Sequence, residues 1–199
     1  MKQTKHRTMT LALCLTVGWL AMAGSTVEAQ NAPFLVFAED APGSMQVAHD
    51  DDLNPGNAFT VEMWVYLVTF DSCQSMFGTN WRQAYWLGIC NGSIRTYTHG
   101  TGTQSTSEFV VPLRQWFHLA ATFESGSVKH FFNGQMVAEF DAPEEPVPAT
   151  DDPLGVGWDS EWELPPFGAV DEVRLWNVAR PEAEIAATMD APIGDPVAG

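Results

Sequence analysis

Short amphipathic runs separated by Gly, Asn, Asp and Pro dominate the middle of this chain, and they predict strands. FTVEMWVYL at 59–67 is one. Arg114 to Phe123 is another, running through Glu124-Ser125-Gly126-Ser127 into a strand from Val128 to Phe132. Asn133-Gly134 then supplies a tight turn into Gln135 to Phe140, so these three strands form a β-meander. Ala84 to Ile89 and the SIRTY segment flank a second Asn-Gly, and Leu154 to Trp158 adds a further strand. Helical periodicity is confined to Pro181 to Ala187, with Pro181 suited to the first turn. The layout predicts an all-β fold, an antiparallel two-sheet sandwich with one short C-terminal helix.

Several segments carry more than periodicity. An opening FLVFAEDAPGSMQVAHDDDLNPGNA leads into Phe59 to Val65; then come Trp116, His118, Ala120, Thr122 and Phe123, and the FFNG of 131–134. The most specific element runs from Gly168 through Asp171, Glu172, Val173, Arg174, Trp176, Asn177 and Ala179 to Glu184-Ile185. In this order the segments resemble the laminin-G-like jelly-roll domain of the concanavalin-A-like lectin and glucanase superfamily, over roughly 34–189. The resemblance implies a jelly-roll sandwich. It also implies structural roles for His118, Trp64, Trp116, Trp176, Phe59, Phe123 and Phe131.

At the N-terminus Lys2, Lys5, His6 and Arg7 precede an apolar run from Met9 to Met22, and Val27-Glu28-Ala29 offers small residues for cleavage. Residues 1–29 therefore read as a signal peptide, and 30–199 as one secreted domain with its core at 59–185. The run is too short for a confident membrane span. Losing three cations and one carboxylate with that peptide takes the formal charge from −16 to −18. So acidic a surface argues against nucleic acid or an anionic membrane as partner.

Cys73 and Cys90 are left in the exported part, and a disulfide between them is the expectation if 75–81 folds back as a neighbouring strand. Asn91-Gly92-Ser93 is both a glycosylation acceptor and a hairpin turn, with the turn reading primary.

Three function classes follow. The first is a non-catalytic module that binds glycan or an extracellular protein through loops at 99–108, 141–153 and 158–166. Trp158 and Trp162 would offer faces to sugar rings, with Trp81 and Trp86 as further aromatics, while Asp159 and Glu161 accept hydroxyls. Core packing is the alternative for each tryptophan. The second is a glycoside hydrolase of the laminarinase type using Asp159, Glu161 or Glu163. Those three acids lie between the 154–158 strand and Pro165-Pro166, in a loop and not on a central strand face as such a hydrolase needs, so no catalysis is expected. The third is a structural element of an envelope.

No His or Cys spacing suits zinc and no phosphate or dinucleotide motif occurs, so no organic cofactor is expected. Calcium is the open question. The resemblance implies an ion held by Asp171 of the closing strand with oxygens of the opening segment, here Glu39 and Asp40. The alternative is that Asp171 hydrogen-bonds backbone while Glu172 pairs with Arg174.

Overall fold

The computed structural model describes residues 34–37, 44–70, 72–100, 104–158 and 165–192. The expected signal peptide, residues 1–29, lies outside them. Among the described residues twelve strands are formed: β1 (Leu35–Phe37), β2 (Met45–Val47), β3 (Ala58–Leu67), β4 (Cys73–Gly78), β5 (Tyr85–Cys90), β6 (Ser93–Thr98), β7 (Gln104–Val110), β8 (Trp116–Glu124), β9 (Ser127–Phe132), β10 (Gln135–Asp141), β11 (Leu154–Val156) and β12 (Gly168–Trp176), and one α-helix, α1, covers Glu182–Thr188.

The strands divide into two antiparallel six-stranded sheets, ordered β1-β12-β3-β8-β9-β10 and β2-β11-β4-β5-β6-β7. The meander read from the sequence is β8-β9-β10, and β4 to β7 form another. Both Asn-Gly turns take the doubly positive φ that this dipeptide tolerates: 51° and 86° at Asn91-Gly92, 48° and 76° at Asn133-Gly134. Asn133 also accepts the His118 N–H through Oδ1 at 2.8 Å and donates its own N–H to the His118 carbonyl at 2.9 Å. The turn is thereby fastened to β8.

Period-2 alternation decides which side chains enter the core. From β3, Phe59, Val61, Met63, Val65 and Leu67 point inward; Phe117, Leu119, Ala121 and Phe123 do so from β8, and Tyr85, Leu87 and Ile89 from the opposite sheet. Each buried large side chain contributes about 1.5–3 kcal/mol. A polar tie crosses this layer, His130 Nε2 to Thr96 Oγ1 at 3.0 Å. Burial without a countercharge pushes the His130 pKa down to about 4.

The other register of the first sheet faces outward, and α1 covers part of it. Ile185 is fully buried against Ala120 and Phe131. Gly134 has to lack a side chain here, because a Cβ would stand 2.8 Å from the Ala186 Cα.

Several sequence expectations need adjustment. Pro181 stands just before the helix in extended conformation (ψ 151°) and not within its first turn. The strand expected at 154–158 ends at Val156, because Gly157 takes φ 70° and leaves the sheet. Trp116, expected to be structural, is 39% exposed at the outer start of β8, where it packs on Tyr66 and Phe34. The Pro-rich loop after β10 is laid down on the sandwich through Val147 N–H to the Gly56 carbonyl and Gly126 N–H to the Pro143 carbonyl.

Candidate functional site

The outer face of the second sheet carries an unbroken cross-strand row. Gln46, Gly155, Gly78, Trp86, Tyr97 and Gln104 are register partners in succession, one from each of the six strands. Their parity places them away from the core, since Leu154, Val156, Tyr85, Leu87, Ile94 and Thr96 face inward beside them. The row therefore runs across the whole sheet, with glutamines at both ends and aromatics near the middle.

Small residues make room for the aromatics. The Trp86 ring lies over Gly88, where a Cβ would meet Cη2 at 2.0 Å. Trp158 covers Gly155 in the same way, with Cε3 2.7 Å from the Cβ position. Ser75 joins the two: it accepts the Trp86 indole N–H at 2.8 Å and donates to the Trp158 carbonyl at 3.1 Å. Tyr97 packs between Trp86 and Trp81, at 5.6 and 5.2 Å between ring centroids, and donates its hydroxyl to Gln104 Oε1 at 2.7 Å. Arg82 caps the Trp81 ring at 5.3 Å.

Below this row lies the cystine. Cys73 and Cys90 are opposed in register and bonded, as the sequence led one to expect. Arg95, one step from Tyr97 on the same face, donates to Thr106 Oγ1 at 3.1 Å and to the Cys73 sulfur at 3.7 Å. The bridge thus locks the strand pair that carries Trp86.

Of the residues expected to bind a ligand, Trp158 takes its place on this face, partly exposed. Asp159, Glu161 and Trp162, and the alternative acid Glu163, lie outside the described residues. Trp81 is partly exposed, whereas Trp86 is only 3% exposed and forms the bed under its neighbours and not a free face. Tyr97, Arg95, Gln104 and Ser75 were not singled out in the sequence. Their signal was available in the alternation of Ser93 to Thr98 opposite Tyr85 to Cys90.

The family-like motif residues gather elsewhere, under α1. Glu62, fully buried, accepts from Arg180 Nη1 at 3.0 and 3.2 Å, from Trp176 Nε1 at 2.9 Å and from Arg174 Nη1 at 3.3 Å. His118 Nε2 stands 3.9 Å from its other side. Burial first, then the charges of Arg174 and Arg180, pull the His118 pKa down to about 3. A neutral imidazole wedged beside a fully bonded carboxylate has no route to solvent. The arrangement fixes helix to sheet.

Asp171 sits at the bulge of β12, where Glu172 adopts φ 51°. Its Oδ1 accepts the Glu172 N–H at 2.8 Å, and Glu172 pairs with Arg174 at 2.9 Å. Desolvation raises the Asp171 pKa, opposed in part by that hydrogen bond and by Arg174. Glu39 and Asp40 lie outside the described residues. Among the described residues no group of three or more His, Cys, Asp or Glu is gathered as a metal site, and no helix is long and apolar enough to cross a membrane.

A family model described as the concanavalin A-like lectin/glucanases superfamily matches residues 40–186, most of the chain. The chain belongs to that superfamily. Among solved structures, this superfamily member is similar to a candidate carbohydrate binding protein from Bacteroides ovatus, at 19% identity and TM-score 0.65, over 84% of this chain and 53% of that one. It is similar to the binding domain of botulinum neurotoxin DC in complex with SialylT, at 10% identity and TM-score 0.63, over 79% and 42%. It also resembles domain 4 of AbnA, an extracellular arabinanase from Geobacillus stearothermophilus in complex with arabinotriose, at 17% identity and TM-score 0.58, over 78% and 86%. At these identities the likeness is one of fold. The chain spans about half the length of the first two structures. No curated protein matches the sequence.

Proposed function

We propose that this is a secreted, non-catalytic recognition module that binds glycan on the outer face of the second sheet. The observation that carries it is the aromatic row: Trp158 and Trp81, both partly exposed, stand at the two ends of a rigid bed made by Trp86, Tyr97 and the Cys73–Cys90 bridge. Flat apolar faces flanked by amide and hydroxyl groups suit the apolar side and the hydroxyl edge of a sugar ring. Gln46 and Gln104 are exposed at the ends of the row. Asp159, Glu161 and Trp162 follow Trp158 directly and would extend the site as hydrogen-bond acceptors and a further ring. Export is supported by the basic and apolar N-terminus and by the cystine.

One neighbour in fold is named a carbohydrate binding protein and another was solved in complex with arabinotriose, which supports a glycan over a protein ligand. A glycan array, probed with the exported chain and with Trp158→Ala and Trp81→Ala, tests the reading. Signals on a defined set of glycans that fall at least tenfold in both variants are expected. Binding unchanged in both variants would place the site elsewhere, and an array blank throughout would remove the reading.

A further inference from the structure

Lysine and arginine are scarce in this chain, 9 against 25 acidic residues, so a cation that the fold draws in has carboxylates to meet. Arg174 and Arg180 meet Glu62, and Lys129 meets Glu139. Arg95 departs from this. It projects from β6 on the outer face of the second sheet, partly exposed, and makes no ion pair among the described residues. Nε donates to the Thr106 hydroxyl at 3.1 Å and Nη1 to the Cys73 sulfur at 3.7 Å. Sulfur is a weak acceptor, so the guanidinium is held in place but not neutralised. A partly desolvated charge without a partner is costly, and an anion arriving from outside would complete it.

The hydrogen bonds around Arg95 all run one way. Tyr97 donates its hydroxyl to Gln104 Oε1 at 2.7 Å, Gln104 Nε2 donates to Thr106 Oγ1 at 3.1 Å, and Arg95 Nε donates to that same oxygen. With both lone pairs of Thr106 Oγ1 taken, its hydroxyl has only a proton left to offer. Arg95 Nη2 is likewise a donor with no acceptor among the described residues. The unspent groups at this point of the sheet are therefore donors, set beside a full positive charge. Such a set suits a ligand group that only accepts and is itself negative. A sugar hydroxyl could take one of these bonds but would leave the charge uncompensated.

We infer, resting on the glycan reading above, that Arg95 and Thr106 hold a single anionic group, a carboxylate or a sulfate ester, on a glycan whose neutral rings lie along the aromatic row. Arg82, over the Trp81 ring at 5.3 Å, adds positive charge at the same end, where Trp81 packs on Tyr97. Arg95 stands three strands from Gly155, the residue that Trp158 covers, a distance of about 14 Å at ordinary strand spacing. The acid and the Trp158 face therefore meet different sugars of one chain. The net charge of −16 limits the acid groups to one, because every further negative charge on the ligand is repelled. Glu108 stands exposed two residues beyond Thr106 on β7 and adds to that repulsion.

The test is a glycan array of matched pairs probed with the exported chain. Each pair is an oligosaccharide bearing one uronic acid or one sulfate ester together with its neutral parent, and heparin is added as a polyanion. The acidic member should bind about tenfold better than its parent, the scale of one charge-assisted hydrogen bond. Whichever set of pairs shows the preference, uronate or sulfate, identifies the anion. Arg95→Gln should bring the acidic member down to the level of its parent, whereas in Trp158→Ala both members should fall together and keep their ratio. Thr106→Val removes a donor without changing charge and should reduce the preference, which keeps the test open if Arg95→Gln lowers the melting temperature. An array blank for both members of every pair removes the glycan reading and this inference with it. Acidic and neutral members bound equally by the native chain would overturn the inference alone, as would a preference kept in both Arg95→Gln and Thr106→Val. Heparin bound more strongly than any singly charged glycan would mean general attraction to cations and would overturn it too.

Discussion

Arg180 donates from Nη1 to both carboxylate oxygens of Glu62, at 3.0 and 3.2 Å, and this pair is fully enclosed between β3 and α1. The same guanidinium stacks on Trp176 at 4.3 Å and donates to Thr188 Oγ1 at 3.0 Å, so one side chain ties strand, helix and closing motif together. Thr60, next to Glu62 in the same outward register, accepts the Arg180 N–H at 2.8 Å and donates to the Val178 carbonyl at 2.8 Å. The closing motif is thus an anchor for the helix.

Removing one partner of so buried a pair leaves the other charged and unpaired. Glu62→Ala or Arg180→Ala should therefore destabilise by about 3–5 kcal/mol. Glu62→Gln, which keeps the shape and one acceptor, should cost less than Glu62→Ala, and glycan binding on the other sheet should be unaffected. Urea unfolding followed by tryptophan fluorescence measures both. A Glu62→Ala protein with unchanged midpoint would mean that the network carries no stability.

The bridge gives a second expectation. Cys73 and Cys90 close a loop of sequence separation 17 between paired strands. In the chain-entropy account such a link contributes roughly 3 kcal/mol. The double variant Cys73→Ser, Cys90→Ser should lose stability of that order. Because the pair lies beside the Trp86 bed, glycan affinity should also fall, more than in a variant of equal instability such as Leu119→Ala. An affinity loss no greater than that of Leu119→Ala would show that the bridge does not support the aromatic face.

How much was legible in the sequence depended on how local the signal was. The two Asn-Gly turns, the meander around them and the short helix were readable because backbone conformation and alternation are encoded within a few residues. The pairing of Cys73 with Cys90 followed from one hairpin. Glu62 was invisible for the opposite reason: on alternation it is an outward polar residue, and only the helix brought over it from 120 positions away makes that face an interior. Trp116 packs on Phe34 and Tyr66 as its motif position suggested, yet at the outer start of β8 it stays 39% exposed among the described residues. The aromatic row needed the register of six strands, which no local pattern contains.

Acid should weaken the fold through its buried histidines. His118 and His130 have folded pKa values of about 3 and about 4, below the ordinary 6.5. The unfolded chain therefore takes up protons first as pH falls, so stability is fully present above pH 6.5 and declines below it. The slope is about 1.4 kcal/mol per pH unit for each histidine until its folded pKa is approached. His130→Gln keeps a hydrogen-bonding side chain opposite Thr96 but cannot be protonated in this range. Melting curves between pH 7 and pH 5 should show a shallower decline for this variant. Parallel declines in the two proteins would assign the acid sensitivity to other groups.

Calcium is the remaining expectation, and Asp171 decides it. The proposal is that Asp171, whose Oδ1 is held by the Glu172 N–H, shares an ion with Glu39 and Asp40 ahead of β2. The hydrogen bond leaves the carboxylate further lone pairs for a cation, and calcium would draw the rest of its oxygens from carbonyls and water. An ion bound there would tie the opening segment to β12, adding about 2.7 kcal/mol at a hundredfold excess over Kd. Melting temperature should then rise with calcium more than with magnesium at equal ionic strength, because an acidic chain gains from any divalent ion through screening alone. Asp171→Asn should remove the difference between the two ions while keeping the shared part. Identical responses to calcium and magnesium, unchanged in Asp171→Asn, would leave Asp171 as the residue that caps the β12 bulge and nothing more.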